Sequence, residues 1–438
     1  MRHSSFHAMT TAELIAADKL HLWHPFTQMR DWCASEHEPL VLVSGEGALL
    51  RDSEGREHID GNSSIWTNIH GHNHPKINAA IRAQLDRVAH TSFLGFTNQP
   101  AIQLAQELVK LFPPDTLTRV FYSDDGSTAI EVALKMAAQF WQLSGQPQRT
   151  RFVAFTNAYH GDTMGAASLG GVKIFHERFA AWHFPADHVG CVAELETLNA
   201  KEIAAVVIEP LIQGAAGMRV WPRGMLAELR RWCDTNGALL IADEVMTGFG
   251  RTGTMFACER ENVVPDFIAL AKGLTGGYLP LAATLTTEKI FAAFLGSFAE
   301  QKTFYYGHSY CGNQLGCAAA LASLEIFRVE NVLALLQKKI ALLAELLAPL
   351  VQQPHVADVR QCGFIAGIEI AGADGKPYDA ALQMGAKVCS AARRHGLLTR
   401  PIRDTIALMP PYCITEAQLR SAVGAVSLAI REVCEAGI

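Results

Sequence analysis

Two apolar runs, each closed by a carboxylate and separated by one amphipathic helix-length stretch, constrain the fold of this chain more than any other feature. Ile203 to Ile208 ends at Glu209, and Gly237 to Ala242 ends at Asp243, with a helix-like Met225 to Thr235 between them. Short, continuous apolar runs flanking an amphipathic helix read as buried parallel strands joined by a crossover, a βαβ unit. Ligands of such sheets lie outside the carboxyl ends of the strands, where both carboxylates stand. From about Gly71 to Leu324 the same alternation continues, which predicts an α/β fold with a mostly parallel sheet wrapped by helices. The tail differs. Asn331 to Leu350 reads as one long helix, and strand-like Ile365 to Ile370 and Thr405 to Leu408 flank a helical Tyr378 to His395. Turn-rich Ser44 to Gly47 and Asp52 to Arg56 suggest hairpins near the start. A chain of 438 residues exceeds one core. We therefore expect a segment 1–70 contributing to a small domain, a large sheet domain over 71–324, and a small α+β domain over 325–438. Met1 to Phe6 carry no pattern and are expected to be disordered.

Lys272, in Ala271-Lys272-Gly273, follows Asp243 shortly downstream. A strand-end carboxylate paired with such a lysine is what pyridoxal phosphate requires: the lysine forms a Schiff base and the carboxylate keeps the pyridine nitrogen protonated. Alone, each has a plainer reading, an Asp as a turn cap and a Lys as a solvated surface charge. Further segments fit the same cofactor. Asp125-Gly126-Ser127-Thr128 lies between Val120-Phe121-Tyr122 and the helical Ala129 to Trp141, so its N–H groups and hydroxyls can cradle a phosphate. The plainer reading there is a helix cap, with Ser127 and Glu131 in a capping arrangement. Asn157 to Thr163 sets Tyr159 in a polar loop after strand-like Arg151 to Phe155, placed either to stack on a pyridine ring or simply to pack the loop. Tyr306-Gly307-His308-Ser309-Tyr310 is a second polar, aromatic loop. His308 has no second histidine at metal-site spacing, so no metal is expected. A P-loop reading of Lys272 to Gly277 fails because its glycines follow the lysine.

The whole set resembles the class III aminotransferases, the ω-aminotransferase subgroup of the aspartate-aminotransferase fold (fold type I), from about His21 to Pro411. The resemblance rests on Asp60-Gly61, Gly126-Ser127, Tyr159-His160-Gly161-Asp162, Ile208-Glu209-Pro210, Asp243-Glu244-Val245, Thr247 to Gly253, Ala271-Lys272-Gly273 and Gly363. It implies Lys272 as the Schiff-base lysine, Asp243 at the pyridine nitrogen, Tyr159 on the ring, Gly126 and Ser127 at the phosphate, and Glu209 beside the cofactor. It also implies that Gly307-His308-Ser309 completes the neighbouring subunit's phosphate site, hence a homodimer with shared active sites.

Leu22 to Met29, Ser63 to Trp66, Ile69 to His72, Thr399-Arg400-Pro401 and Leu408 to Pro411 are similar to the branch of that family that aminates 8-amino-7-oxononanoate to 7,8-diaminononanoate in biotin biosynthesis. That resemblance implies Phe26 and Trp66 as walls for a methylene chain, Gly307 at the substrate, and Arg400 as a two-pronged grip on the substrate carboxylate. Members that use S-adenosylmethionine as donor generally carry a Tyr at Phe26, a Trp at Ile65 and a Tyr at Ala407. Their absence here favours L-lysine as donor, with S-adenosylmethionine as the alternative. Another ω-aminotransferase, of the ornithine or 4-aminobutyrate type, would share every cofactor residue and differ at Phe26, Trp66 and Arg400.

Hydrophobic residues at 49% and charged residues at 18% mark a folded chain, and a net charge of −6 offers no surface for nucleic acid. Ten cysteines without a Cys-x-x-Cys pair, and no recognisable signal peptide, lead us to expect reduced thiols and a cytoplasmic enzyme. No apolar stretch reaches the ~20 residues of a membrane span.

Overall fold

The structure, a computed structural model, describes residues 9–435, so the expectation for Met1 to Phe6 lies outside the described residues. Its centre is a seven-stranded sheet in the spatial order Leu117–Ser123, Ala282–Thr287, Phe267–Leu270, Leu239–Asp243, Ile203–Ile208, Arg151–Phe155, Ala186–Val189. Ala282–Thr287 alone runs against the others. The two runs that end in carboxylates are adjacent, with Ala242 opposite Ile208. Both are buried on both faces because helices cover each side. Val206 and Ile208 pack with Leu226 and Leu229 of the helix Met225–Asn236, while Ala205 and Val207 pack with Ile130 and Ala133 of the helix Gly126–Leu143.

Two smaller sheets flank this one. Leu42–Glu46, Leu49–Asp52 and Glu57–Asp60 form an antiparallel meander, and its last strand pairs in parallel with Leu397–Leu398 from the far end of the chain. The second sheet is Val356–Cys362, Ile365–Ile370, Thr405–Leu408 and Arg400–Ile402, with Arg400 opposite Ala407. The long helix expected from Asn331 is Val332–Leu347, continued as a 3₁₀ turn over Ala348–Gln352. Pro349 has no N–H to extend the α ladder. The helix expected from Tyr378 begins at Met384, because Gln383 before it is left-handed (φ 49°).

Between the meander and the central sheet the backbone turns left-handed over four consecutive residues, Ser63 (φ 46°), Ser64 (47°), Ile65 (74°) and Trp66 (71°). None is glycine, and left-handed helical geometry costs an L-residue about 1–2 kcal/mol. Surrounding contacts must therefore hold the turn.

Candidate active site

Glu209 and Asp243 reach the carboxyl ends of neighbouring strands, and each is fixed by hydrogen bonds from a turn. Glu209 accepts the Tyr159 N–H at Oε1 (3.1 Å) and the Gly214 N–H at Oε2 (2.9 Å). Asp243 accepts the Val245 N–H at Oδ1 (3.1 Å), and its Oδ2 lies 2.7 Å from Nδ1 of the buried His160. Burial disfavours a charge on His160, but the Asp243 hydrogen bond and charge outweigh it and raise its pKa. Burial, aided by the Asp243 charge, pushes the Glu209 carboxyl up to about 7.

Lys272 follows the next strand, Phe267–Leu270, on a 3₁₀ turn that it enters with φ 46°. Its Nζ lies 4.9 Å from the centroid of the Trp66 ring. Burial lowers its pKa to about 8; Asp243 and Glu209 oppose that shift, and Arg251 and Arg400 reinforce it. Charged side chains from four separate segments thus act on one amine.

Tyr159 is linked to this group through the charges of Arg400 and Asp243. Its hydroxyl donates to Asp162 Oδ2 (2.7 Å), its ring lies parallel to His176 and edge-on to Phe175, and burial and Asp162 raise its pKa. Asp162 in turn donates its N–H to Ser127 Oγ (3.2 Å) at the start of the helix Gly126–Leu143. The chain closes tightly here: a Cβ at Gly161, which has φ 120°, would lie 2.0 Å from Ser127 Oγ. Asp125 caps this helix by accepting the Thr128 N–H, so the cap is Asp125 and not Ser127. The Ser127 hydroxyl hydrogen and the N–H groups of Gly126 and Ser127 are thereby left for a ligand.

Arg400 is half-buried. Its charge acts on Tyr159 and Lys272, burial lowers its pKa, and among the described residues it forms no ion pair. Trp66 is buried with Ile212, Met246, Ala407 and Met409. Phe26 lies on the surface, edge-on to Phe175 at 5.3 Å, and so reaches Tyr159 only through that ring. Gly307 and Ser309 are exposed, and His308 bridges Asp124 Oδ2 (2.9 Å) and the Tyr306 hydroxyl (3.0 Å) at the end of Leu117–Ser123. Lys272, Asp243, Glu209, Tyr159, Ser127, Trp66 and Arg400 are brought together, while Phe26 and the 307–309 loop stand at the periphery. Sequence reasoning gave no role to His160, Asp162, Phe175 or His176. His160 and Asp162 belong to the Tyr159-His160-Gly161-Asp162 motif, but only the three-dimensional fold buries His160 against Asp243 and sets the exposed Asp162 beside the Tyr159 hydroxyl. Among the described residues no group of His, Cys, Asp and Glu is arranged to hold a metal, and no helix is long and apolar enough to cross a membrane.

The family model for aminotransferase class-III matches residues 33–430. The chain is a class-III aminotransferase. It is 50% identical to the adenosylmethionine-8-amino-7-oxononanoate aminotransferase of Nitratidesulfovibrio vulgaris, over 98% of this chain and 84% of that one. It is 48% identical to the Geobacter sulfurreducens protein of the same name, over 95% and 97%. Among solved structures, the Methanocaldococcus jannaschii enzyme of that name superposes with TM-score 0.93 at 42% identity, covering 96% and 99% of the two chains. An amine transaminase from an uncultivated Pseudomonas species, in its PLP-bound form, gives 0.88 at 35% identity, over 94% and 99%. This aminotransferase therefore has the fold-type-I architecture and depends on pyridoxal phosphate. Its residues fit that cofactor: an anion-ready helix start at Gly126, a carboxylate fixed at Asp243, and a Lys272 amine to which the described residues offer no hydrogen-bond acceptor.

Proposed function

We propose that this aminotransferase converts 8-amino-7-oxononanoate to 7,8-diaminononanoate, the reaction named for its relatives. The observation that carries the reading is Arg400, an unpaired guanidinium acting on Lys272, whose strand partner Ala407 belongs to the apolar cluster of Trp66 and Met246. A long apolar substrate ending in a carboxylate needs both. Removing a guanidinium from water without a carboxylate of its own is costly, and a ligand carboxylate offsets that cost on arrival.

The roles of the other residues follow from their surroundings. Gly126 and Ser127 would hold the phosphate, Tyr159 would face the ring, and Asp243, fixed by His160 and the Val245 N–H, would present a negative charge to the pyridine nitrogen. Bound there, pyridoxal phosphate supplies an electron sink for a carbanion at the substrate carbon. Lowering the Lys272 pKa to about 8 raises its free-base fraction at pH 7 from roughly one in several thousand to roughly one in ten. The amine is then able to take a proton from the substrate carbon and return it, the general acid–base role. The Trp66 cluster keeps that exchange away from bulk water.

The names of the relatives assign S-adenosylmethionine as donor, and we adopt it here. L-lysine is a second reading, favoured by Phe26, Ile65 and Ala407, of which Ala407 is buried against Trp66 and adds no phenolic group to the pocket. We further read the enzyme as a cytoplasmic homodimer. Ten free cysteines, seven of them buried, suit a reducing compartment, and the exposed Gly307 and Ser309 beside Asp124 are accessible to a second copy.

Stopped-flow half-reactions test both levels. The amine form of the cofactor should return to its aldehyde spectrum with 8-amino-7-oxononanoate, and S-adenosylmethionine should drive the forward half-reaction faster than L-lysine at equal concentration. Faster turnover with ornithine or 4-aminobutyrate would place the enzyme elsewhere in its family.

A further inference from the structure

We propose that Asp60 is a positioning residue that, with His72 and Asn68 behind it, holds Trp66 over the Lys272 amine and thereby sets the shape of the substrate pocket. The inference rests on the proposed role of Trp66 as a wall of that pocket.

The left-handed turn Ser63–Trp66 is the starting point. A backbone of this hand does not persist in four L-residues without external contacts, and Asp60 supplies them. Buried at the end of Glu57–Asp60, it accepts the Asn62 N–H (3.3 Å) and the Ser64 N–H (3.0 Å) at Oδ1. At Oδ2 it accepts the Ser64 hydroxyl (2.9 Å) and meets His72 Nε2 (2.9 Å). One carboxylate therefore gathers the entry of the turn.

The neighbours fix its direction. The Gly71 N–H donates to Asn68 Oδ1 (2.9 Å), which leaves the Asn68 amide nitrogen as donor to His72 Nδ1 (2.9 Å). His72 Nδ1 is then an acceptor, so Nε2 carries the proton and donates to Asp60. At the other end, Asn62 accepts the Trp66 N–H at its carbonyl (2.8 Å) and the indole Nε1–H at Oδ1 (2.8 Å). The chain of bonds runs from Gly71 through Asn68, His72 and Asp60 to Asn62 and Trp66, and the ring it orients lies 4.9 Å from Lys272 Nζ. Asp60 also pairs in register with Leu398, two positions before Arg400, so the strand that sets the ring is tied to the strand that carries the guanidinium. None of Asp60, His72 and Asn68 takes part in the proton transfers assigned to Lys272. Within the Ile69-His70-Gly71-His72 motif, Gly71 and His72 take this positioning role, while Ile69 packs in the core and His70 meets Ser323.

A double-mutant cycle separates positioning from general support of the fold. Asp60→Asn, Trp66→Ala and the double variant are compared as holoenzymes for kcat and KM with 8-amino-7-oxononanoate, for cofactor affinity and for unfolding midpoint. Asp60→Asn should raise KM about tenfold with kcat within about threefold and cofactor affinity unchanged, and should add less than about twofold once Trp66 is Ala. His72→Leu should reproduce the effect and carry the same cycle if Asp60→Asn does not fold, while His72→Gln, which keeps a donor, should stay near wild type. If Asp60→Asn and His72→Leu keep their full effect on KM in the Trp66→Ala background, or act only on stability and cofactor affinity, the positioning role is wrong while the pocket stands. If Trp66→Ala alone leaves KM unchanged, the reading of Trp66 as a wall fails and this inference fails with it. A wild-type enzyme that does not turn over 8-amino-7-oxononanoate refutes the substrate reading before any variant is made.

Discussion

Replacing Asp243 by Asn removes one charge and keeps the shape, and the hydrogen bonds around the side chain determine the cost. The carboxylate accepts at both oxygens, from the Val245 N–H (3.1 Å) and from His160 Nδ1 (2.7 Å). An amide accepts at only one, so either orientation turns an NH₂ towards a donor. His160 has no easy escape, because moving its proton to Nε2 puts it on a buried atom with no partner. An unsatisfied buried group costs about 1–3 kcal/mol, the expected loss of stability. The loss in catalysis should be larger. A preorganised charge at the reacting centre is worth about 2.7–4 kcal/mol, or roughly 10²–10³ in rate. His160 should also fall in pKa, since burial would act on it without the opposing carboxylate. Single-turnover half-reactions, tracked through the cofactor absorbance alongside chemical denaturation, measure both. Turnover within about threefold of wild type in a folded, cofactor-loaded variant would refute the assignment of Asp243.

Two further outcomes are expected. Arg400→Ala should lower kcat/KM for 8-amino-7-oxononanoate by roughly 2–4 kcal/mol, the range for stranding a charged partner in a site, with a smaller effect on the donor half-reaction; equal loss in both half-reactions would argue against a carboxylate anchor. Glu209, with its carboxyl raised to about 7, binds a proton in the folded apoprotein that the unfolded chain releases near its ordinary value of 4.5. Its contribution to stability therefore declines as pH rises from about 4.5 to 7 and is constant above. The unfolding midpoint of apo Glu209→Gln should fall less over that interval than that of the wild type, and parallel curves would contradict the raised pKa.

The elements that sequence made legible are those whose pattern is set by burial alone. Ile203–Ile208, Arg151–Phe155, Ile365–Ile370 and Thr405–Leu408 lie where apolar runs placed them. The edge strand Ala186–Val189 has only partial cover, so its residues carry no such run. Val356–Cys362 is half-exposed and carries no apolar pattern to mark it. In the site, Asp243 and Glu209 were legible because strand ends fix where side chains emerge, and Lys272 by its spacing after Asp243. His160 was not assigned a partner, since a loop residue's direction depends on the tertiary fold. The left-handed turn at Ser63–Trp66 left no trace because no glycine marks it. Phe26 was expected on the pocket wall from resemblance; the structure puts it on the surface, one ring removed from Tyr159.

The parallel pairing of Glu57–Asp60 with Leu397–Leu398 has a consequence for how the enzyme is made. All seven strands of the central sheet have been synthesised once Thr287 leaves the ribosome, whereas the strand that completes the meander, and Arg400 just after it, emerge later. At about 5–20 residues per second, that leaves a gap on the order of 10 seconds. In that interval one edge of the meander lacks its partner and stays open to pairing with another chain. A nascent chain that has made Asp243 and Lys272 still lacks the guanidinium. If Arg400 anchors the substrate as proposed, chain completion, rather than formation of the central sheet, is then the step that completes the substrate site.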